Sequence, residues 1–159
     1  MRFVPDAVRD ILIFLEKNDI YEINQDTGLE EKKIFRPDQI ADALYTNDEK
    51  YTYKEIVYAT EKMVDEGYLI PASIPTKDDS GNYMLLEIND ITGKGHELLG
   101  NIHNDTVWEV IKKKAKVMGD FSLKTLSTDA FTVGTTLMTE PNAIENFLKG
   151  IDNILKMIK

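Results

Sequence analysis

Residues 52–89 read "TYKEIVYATEKMVDEGYLIPASIPTKDDSGNYMLLEIN". Thr52 and Glu55 stand in the T-x-x-E spacing in which a threonine hydroxyl and a glutamate carboxylate satisfy each other's free backbone donors, so a helix begins here. Tyr53, Ile56, Val57, Thr60, Met63 and Val64 recur on one face of it. Gly67 supplies the left-handed residue that closes such a helix. Beyond it, "YLIPASIP" reads as a strand, "TKDDSGN" as a turn and "YMLLEIN" as the return strand. A helix therefore runs directly into a two-stranded ribbon.

Upstream, Pro5 suits a first helical position, and Ala7, Val8, Ile11, Leu12 and Leu15 form the apolar face of a helix ending near Asn18. Residues 19–36 predict a surface hairpin or long loop, with Ile20 to Ile23 and Lys33 to Phe35 flanking Asp26-Thr27-Gly28. Pro37 opens a short helix through Ile40, Ala41 and Leu44. Helix, short helix, helix and ribbon is the order of a winged helix. The expected class is mainly α with a small β-wing: a winged helix-turn-helix followed by C-terminal helices.

In "NDITGKGHELL" (89–99), Thr92 caps a fourth helix whose apolar side is Leu98, Leu99 and Ile102. A fifth follows in "DTVWEVIKKKAKVM" (105–118), where Thr106 and Glu109 repeat the T-x-x-E box and Trp108, Ile111, Ala115 and Met118 face inward. Leu123, Leu126, Ala130, Phe131 and Met138 predict a buried helix over 122–138. In the last helix Ile144, Phe147, Leu148, Ile151, Ile154, Leu155 and Ile158 make a wide apolar stripe, which fits an internal packing face or a homodimer seam. Ile144, Phe147, Ile151, Ile154 and Ile158 are the candidates for self-association. The expected division is a winged-helix domain over 1–103, carrying the 19–36 insertion, and a helical extension over 104–159 packed on it.

The chain has 159 residues, 42% hydrophobic and 30% charged, the size and balance of one globular domain. It has no cysteine, which excludes disulfides, thiolate nucleophiles and Cys-based zinc sites and fits a reducing cytosol. Charges within the first ten residues leave no room for a signal-peptide core. Ile11–Leu15, one of the longest apolar runs, is far short of the roughly 20 residues of a membrane span. The expected location is the cytoplasm of a bacterial host cell. Residues 1–90 hold ten basic against twenty acidic residues, and residues 91–159 nine against eight.

Catalytic and cofactor chemistry finds little to work with. Gly93-Lys94-Gly95 lacks a glycine five residues before the Gly-Lys pair, and Gly95 takes the place of the magnesium-holding Ser/Thr of a phosphate loop. Its glycines read instead as room for close packing of a helix start on the ribbon. His96 and His103 lie seven apart without the H-x-x-x-H or E-x-x-H spacing of a metal site. The pairs Glu30-Glu31, Asp48-Glu49, Asp65-Glu66 and Asp78-Asp79 read as solvated charge runs, and no serine lies in a G-x-S-x-G elbow. No catalytic, cofactor-binding or metal-binding residue is assigned.

A winged helix places its third helix in the major groove of DNA. Residues 52–67 hold two lysines against four acidic residues, and Lys77 at the wing faces Asp78 and Asp79. Acidic groups there are repelled by phosphate. Lys54, Tyr58, Glu61, Lys62, Asp65 and Asp78 are instead the expected docking surface for a protein partner, its acidity steering toward a basic one. DNA binding ranks second, through Lys112, Lys113, Lys114 and Lys116. An enzyme of unknown type ranks third.

The run "DITGKGHELLGNIHNDTVWEVIKKKAK" resembles the L-T-x-x-G-H-E-F-L…D-x-T-V-W…K stretch of a family of small bacterial and phage proteins catalogued as a domain of unknown function. Ile91, Thr92, Gly95, His96, Glu97, Leu99, Asp105, Thr106, Val107 and Trp108 carry the likeness. "YKEIVYATEKMVDEGYLI" is similar to the family's helix ending in an E-x-G-L-I-like turn. The resemblance spans roughly residues 37–138, with 19–36 and the last helix as additions to it. It implies a winged helix, frequent carriage on prophages, and no assigned activity or cofactor. The expected function is binding of a host protein in a nucleic-acid-handling complex, as inhibitor or adaptor.

Overall fold

A computed structural model describes residues 3–46, 50–140 and 142–158, without the side chains of Leu137, Met138 and Ile144. Asp48 and Glu49, and the Met138 and Ile144 side chains, thus lie outside what is described. The described residues form seven helices and small antiparallel sheets. They divide into two compact units, Met1–His96 and Glu97–Lys159.

In the first unit, α1 (Pro5–Lys17) buries Ala7, Val8, Ile11, Leu12 and Leu15, and the Asn18 amide closes it on the Phe14 carbonyl. The hairpin over 19–36 pairs β1 (Tyr21–Ile23) with β2 (Glu30–Lys32), three residues earlier than the sequence pattern placed the second strand. Local turn chemistry sets that register: Asn24 Oδ1 accepts from the Asp26 and Thr27 amides, and Gly28 sits at φ +69°. Phe35 bridges to Ile88 instead. Lys32 ties the hairpin to the rest of the unit, 2.8 Å from Asp19 and 2.7 Å from Asp90.

Helix α2 (Pro37–Leu44) starts with the Gln39 side chain accepting from the Arg36 amide at 2.8 Å. At α3 (Tyr53–Asp65) the expected box forms: Glu55 Oε2 accepts from the Thr52 amide at 2.8 Å, and Thr52 Oγ1 from the Glu55 amide at 3.3 Å. Gly67, at φ +77°, ends the helix and lets the Tyr68 amide reach the Met63 carbonyl. The ribbon comes in two pieces. β3 (Leu69–Pro71) pairs with β6 (Ile88–Ile91), and β4 (Thr76–Lys77) with β5 (Tyr83–Leu85), so Thr76 and Lys77 belong to a strand rather than to the turn.

Helix α4 (Gly93–Ile102) begins against this ribbon, with Thr92 Oγ1 accepting from the Gly95 amide and donating to the Gly67 carbonyl. The two glycines of the "GKG" run differ. A Cβ on Gly95 would fall 2.5 Å from Ile91 Cγ2 and closer still to the Tyr68 carbonyl oxygen, whereas one on Gly93 would meet nothing within 4 Å. The division between the units falls inside α4.

The second unit continues with α5 (Asp105–Met118), α6 (Leu123–Thr139) and α7 (Ala143–Ile158). Its core includes Leu98, Ile102, Trp108, Val110, Ile111, Leu123, Leu126, Ala130, Val133 and Ile151. The cap of α5 is Asn104, not Thr106: Asn104 Oδ1 takes the Thr106 and Val107 amides, and Glu109 turns to Lys112 at 2.7 Å. Met118 and Phe131, expected inside, are 67% and 57% exposed, and Val110 and Val133 lie in the core.

Replacing Gly95 by alanine is expected to destabilise the protein by about 1–3 kcal/mol, because backbone and a β-branched side chain must move. Gly93→Ala should be neutral or mildly stabilising, by up to about 1 kcal/mol. Urea unfolding of both variants checks the contrast.

Candidate functional site

The candidate docking residues lie on the outer side of α3 and the ribbon. Lys54, Asp65 and Asp78 are exposed, while Tyr58, Glu61 and Lys62 are half-buried. Asp65, at the last position of α3, gathers the ribbon: Tyr83 donates its hydroxyl to Asp65 Oδ1 at 2.6 Å, and Lys77 Nζ lies 2.7 Å from the same oxygen. Lys77 also sits 4.2 Å from the centre of the Tyr83 ring. Lys62 reaches toward Asp65 at 3.8 Å. Burial pushes the Asp65 carboxyl upward, but the hydrogen bonds from Lys77 and Tyr83 outweigh it and hold it below its ordinary 3.8.

Glu61, one turn earlier on the same helix, behaves oppositely. Burial, and then the negative charge of Asp65, raise its pKa above the ordinary 4.5 against the weaker pull of Lys77 and Lys62. At the ribbon tip Asp78 is spent on its own turn. Its Oδ1 accepts from the Ser80 and Asn82 amides at 2.9 Å, holding its pKa low. Asp78 thus closes the turn, while Glu61 and Asp65 share the helix face.

Three of the four lysines of α5 are also engaged. Lys112 lies 2.7 Å from Glu109, Lys113 3.8 Å from Asp152, and Lys114 2.5 Å from Asp129. Asp129 is 5% exposed and its other oxygen has no hydrogen-bond partner among the described residues, so Lys114 is the partner of a buried carboxylate. Lys116 is exposed. Sequence reasoning missed Asp129, because nothing local marks the one acidic residue in a threonine-rich helix as a partner for a lysine fifteen residues earlier.

The self-association candidates separate. Ile151 is buried, Phe147 and Ile154 are partly exposed, and Ile158 is 71% exposed, so Ile151 serves the core while Phe147, Ile154 and Ile158 are open to solvent to rising degrees. His96 and His103 are both exposed. Among the described residues no group of three or more His, Asp or Glu side chains is placed to hold a metal, and no helix is long and apolar enough to cross a membrane.

A family model described as "Hypothetical protein (DUF2513)" matches residues 4–120. The chain belongs to this family. The DUF2513 match begins at residue 4, so it takes in α1 and the 19–36 hairpin, which the sequence resemblance left out. The α3–ribbon face and the α5 lysines also lie inside the match, whereas α6 and α7 lie beyond it. No curated protein and no solved structure matches the chain.

Two carboxylates one turn apart should respond with opposite sign. Asp65 is depressed, so it contributes stability above its ordinary 3.8 that is lost as pH falls through its lower folded value. Asp65→Asn should therefore lower the melting temperature at neutral pH, the gap closing in acid. Glu61 is raised, so its ionisation opposes folding as pH rises past the ordinary 4.5. Glu61→Gln should raise the melting temperature at neutral pH and lose that advantage in acid. Thermal melts across pH read both.

Lys114→Ala should destabilise the protein by about 1–3 kcal/mol by leaving a buried carboxylate unpaired. Lys116→Ala should stay within about 0.5 kcal/mol of the parent. Chemical denaturation separates the structural lysine from the surface one.

Proposed function

We propose that the chain is a non-enzymatic winged-helix protein of phage or prophage origin that acts by binding another macromolecule. That partner is a basic host protein of a nucleic-acid-handling complex, which the chain inhibits or bridges. The order of α1, α2, α3 and the β3–β6 and β4–β5 ribbon supports the winged-helix reading. The resemblance in residues 91–116 supports the phage association.

One observation carries the choice of partner: on the α3–ribbon face Lys62 and Lys77 are turned onto a carboxylate, leaving Lys54 as the exposed lysine of α3. Lys77 and Lys62 converge on Asp65, so the positions a recognition helix would offer to phosphate present Glu61 and Asp65 in their place. Specific and non-specific DNA binding alike depend on basic groups that displace counterions from phosphate. The second reading, a DNA-binding regulator, draws on Lys112 to Lys116, of which Lys112, Lys113 and Lys114 are ion-paired. A protein partner is met instead by electrostatic steering of a basic surface toward an acidic one.

In a gel-shift titration at about 150 mM salt, near physiological ionic strength, the protein should leave duplex DNA unshifted. Tight, salt-dependent duplex binding that survives this condition would establish the regulator reading in its place.

A further inference from the structure

A cavity of about 250 Å³ opens between the start of α2, the middle of α3 and the end of the ribbon, lined in part by Asp38, Val57, Glu61, Tyr83, Leu85 and Leu86. It is much larger than the roughly 30 Å³ share of one water. It is also below the range of about 300–1,000 Å³ typical of sites for drug-sized ligands. One side chain is the object of matching scale.

Among the described residues that line it, the charged side chains are paired with one exception. Arg36 is gripped by both oxygens of Asp38 at 3.0 Å, so its fork is occupied. Tyr83 and Lys77 are committed to Asp65, and Lys62 leans the same way. The Glu61 side chain makes no hydrogen bond and no ion pair among the described residues, although the residue is half-buried. A carboxylate drawn from water without a donor is destabilising until a cation or donor reaches it. Val57, Leu85 and Leu86 provide an apolar wall, and the 72% exposed Met84 stands among the lining residues. An apolar wall leading to a carboxylate is what a basic side chain needs, with its methylenes on the wall and its charge at the end.

We infer that this cavity receives a single arginine or lysine side chain of the partner protein, with Glu61 as the group that binds its charge. The inference rests on the docking reading above and specifies its anchor. A bound cation would hydrogen-bond the unpaired Glu61 carboxylate, and such charge-assisted bonds are about twice as strong as neutral ones. Arginine would fit better than lysine, because a planar fork can engage the carboxylate with two parallel bonds.

The test is an amide NMR titration of the full chain with a blocked hexa-arginine peptide, with hexa-glutamate as control. Shifts should concentrate at residues 36–38, 57–61 and 83–86. Glu61→Gln, a variant expected to fold, should weaken binding about tenfold or more, the scale of losing one partner of a desolvated charge pair. Glu145→Gln, an exposed carboxylate of α7 outside the docking residues, should bind as the parent does. If the shifts fall on α3 and the ribbon but Glu61→Gln binds unchanged, the cavity is overturned while docking on the face stands. If hexa-arginine shifts neither α3 nor the ribbon, or shifts only the acidic 19–36 hairpin, the docking reading falls with it.

Discussion

A single carboxylate oxygen, Asp65 Oδ1, holds the β4–β5 end of the ribbon to the helix before it. Strands of two and three residues do not hold a shape in water by their own pairing. Here the shorter strand is fixed through Lys77 and the longer one through Tyr83, both on that oxygen. The cation stacked over the Tyr83 ring closes a small triangle of contacts at the helix end. The arrangement also decides the charge of the face. With Lys77 and Lys62 drawn to Asp65, their pull on Glu61 is outweighed by burial and by Asp65 itself, since like charges four residues apart on a helix repel. One anchoring interaction thus fixes the ribbon and creates an uncompensated acid beside a cavity.

Much of the fold was legible where the decisive chemistry was local. The Thr52–Glu55 box, the Gly67 turn, the apolar face of α1 and the capping role of Thr92 each depend on a few neighbouring residues, and each stands in the structure as read. The "GKG" run was legible as a packing feature, though only geometry separates the two glycines. Gly95 lies against the Tyr68 carbonyl, which no spacing in the run discloses.

What the sequence hid was decided at a distance or by competition. Asn104 caps α5 because it sits one residue before the helix, where its short side chain reaches both free amides ahead of Thr106. Met118 and Phe131 fit helical stripes yet face outward, since a stripe gives periodicity without saying how far its packed sector extends. In the candidate site the types and faces of Glu61 and Asp65 could be read from the chain. Their opposite electrostatic states could not, because that of Asp65 depends on Lys77 and Tyr83, 12 and 18 residues beyond it, and that of Glu61 on how deeply the fold buries it. The same holds for Lys114, which a charge count offers to phosphate and the fold assigns to buried Asp129.

The central claim is that an acidic helix–ribbon face recognises a basic protein directly, without nucleic acid between them. The most direct measurement is affinity capture from host lysate, with and without nuclease, comparing the parent with Glu61→Lys. The account predicts one protein retained after nuclease treatment and lost when the charge at Glu61 is reversed. Retention that depends on intact nucleic acid, or that survives the reversal unchanged, would contradict it.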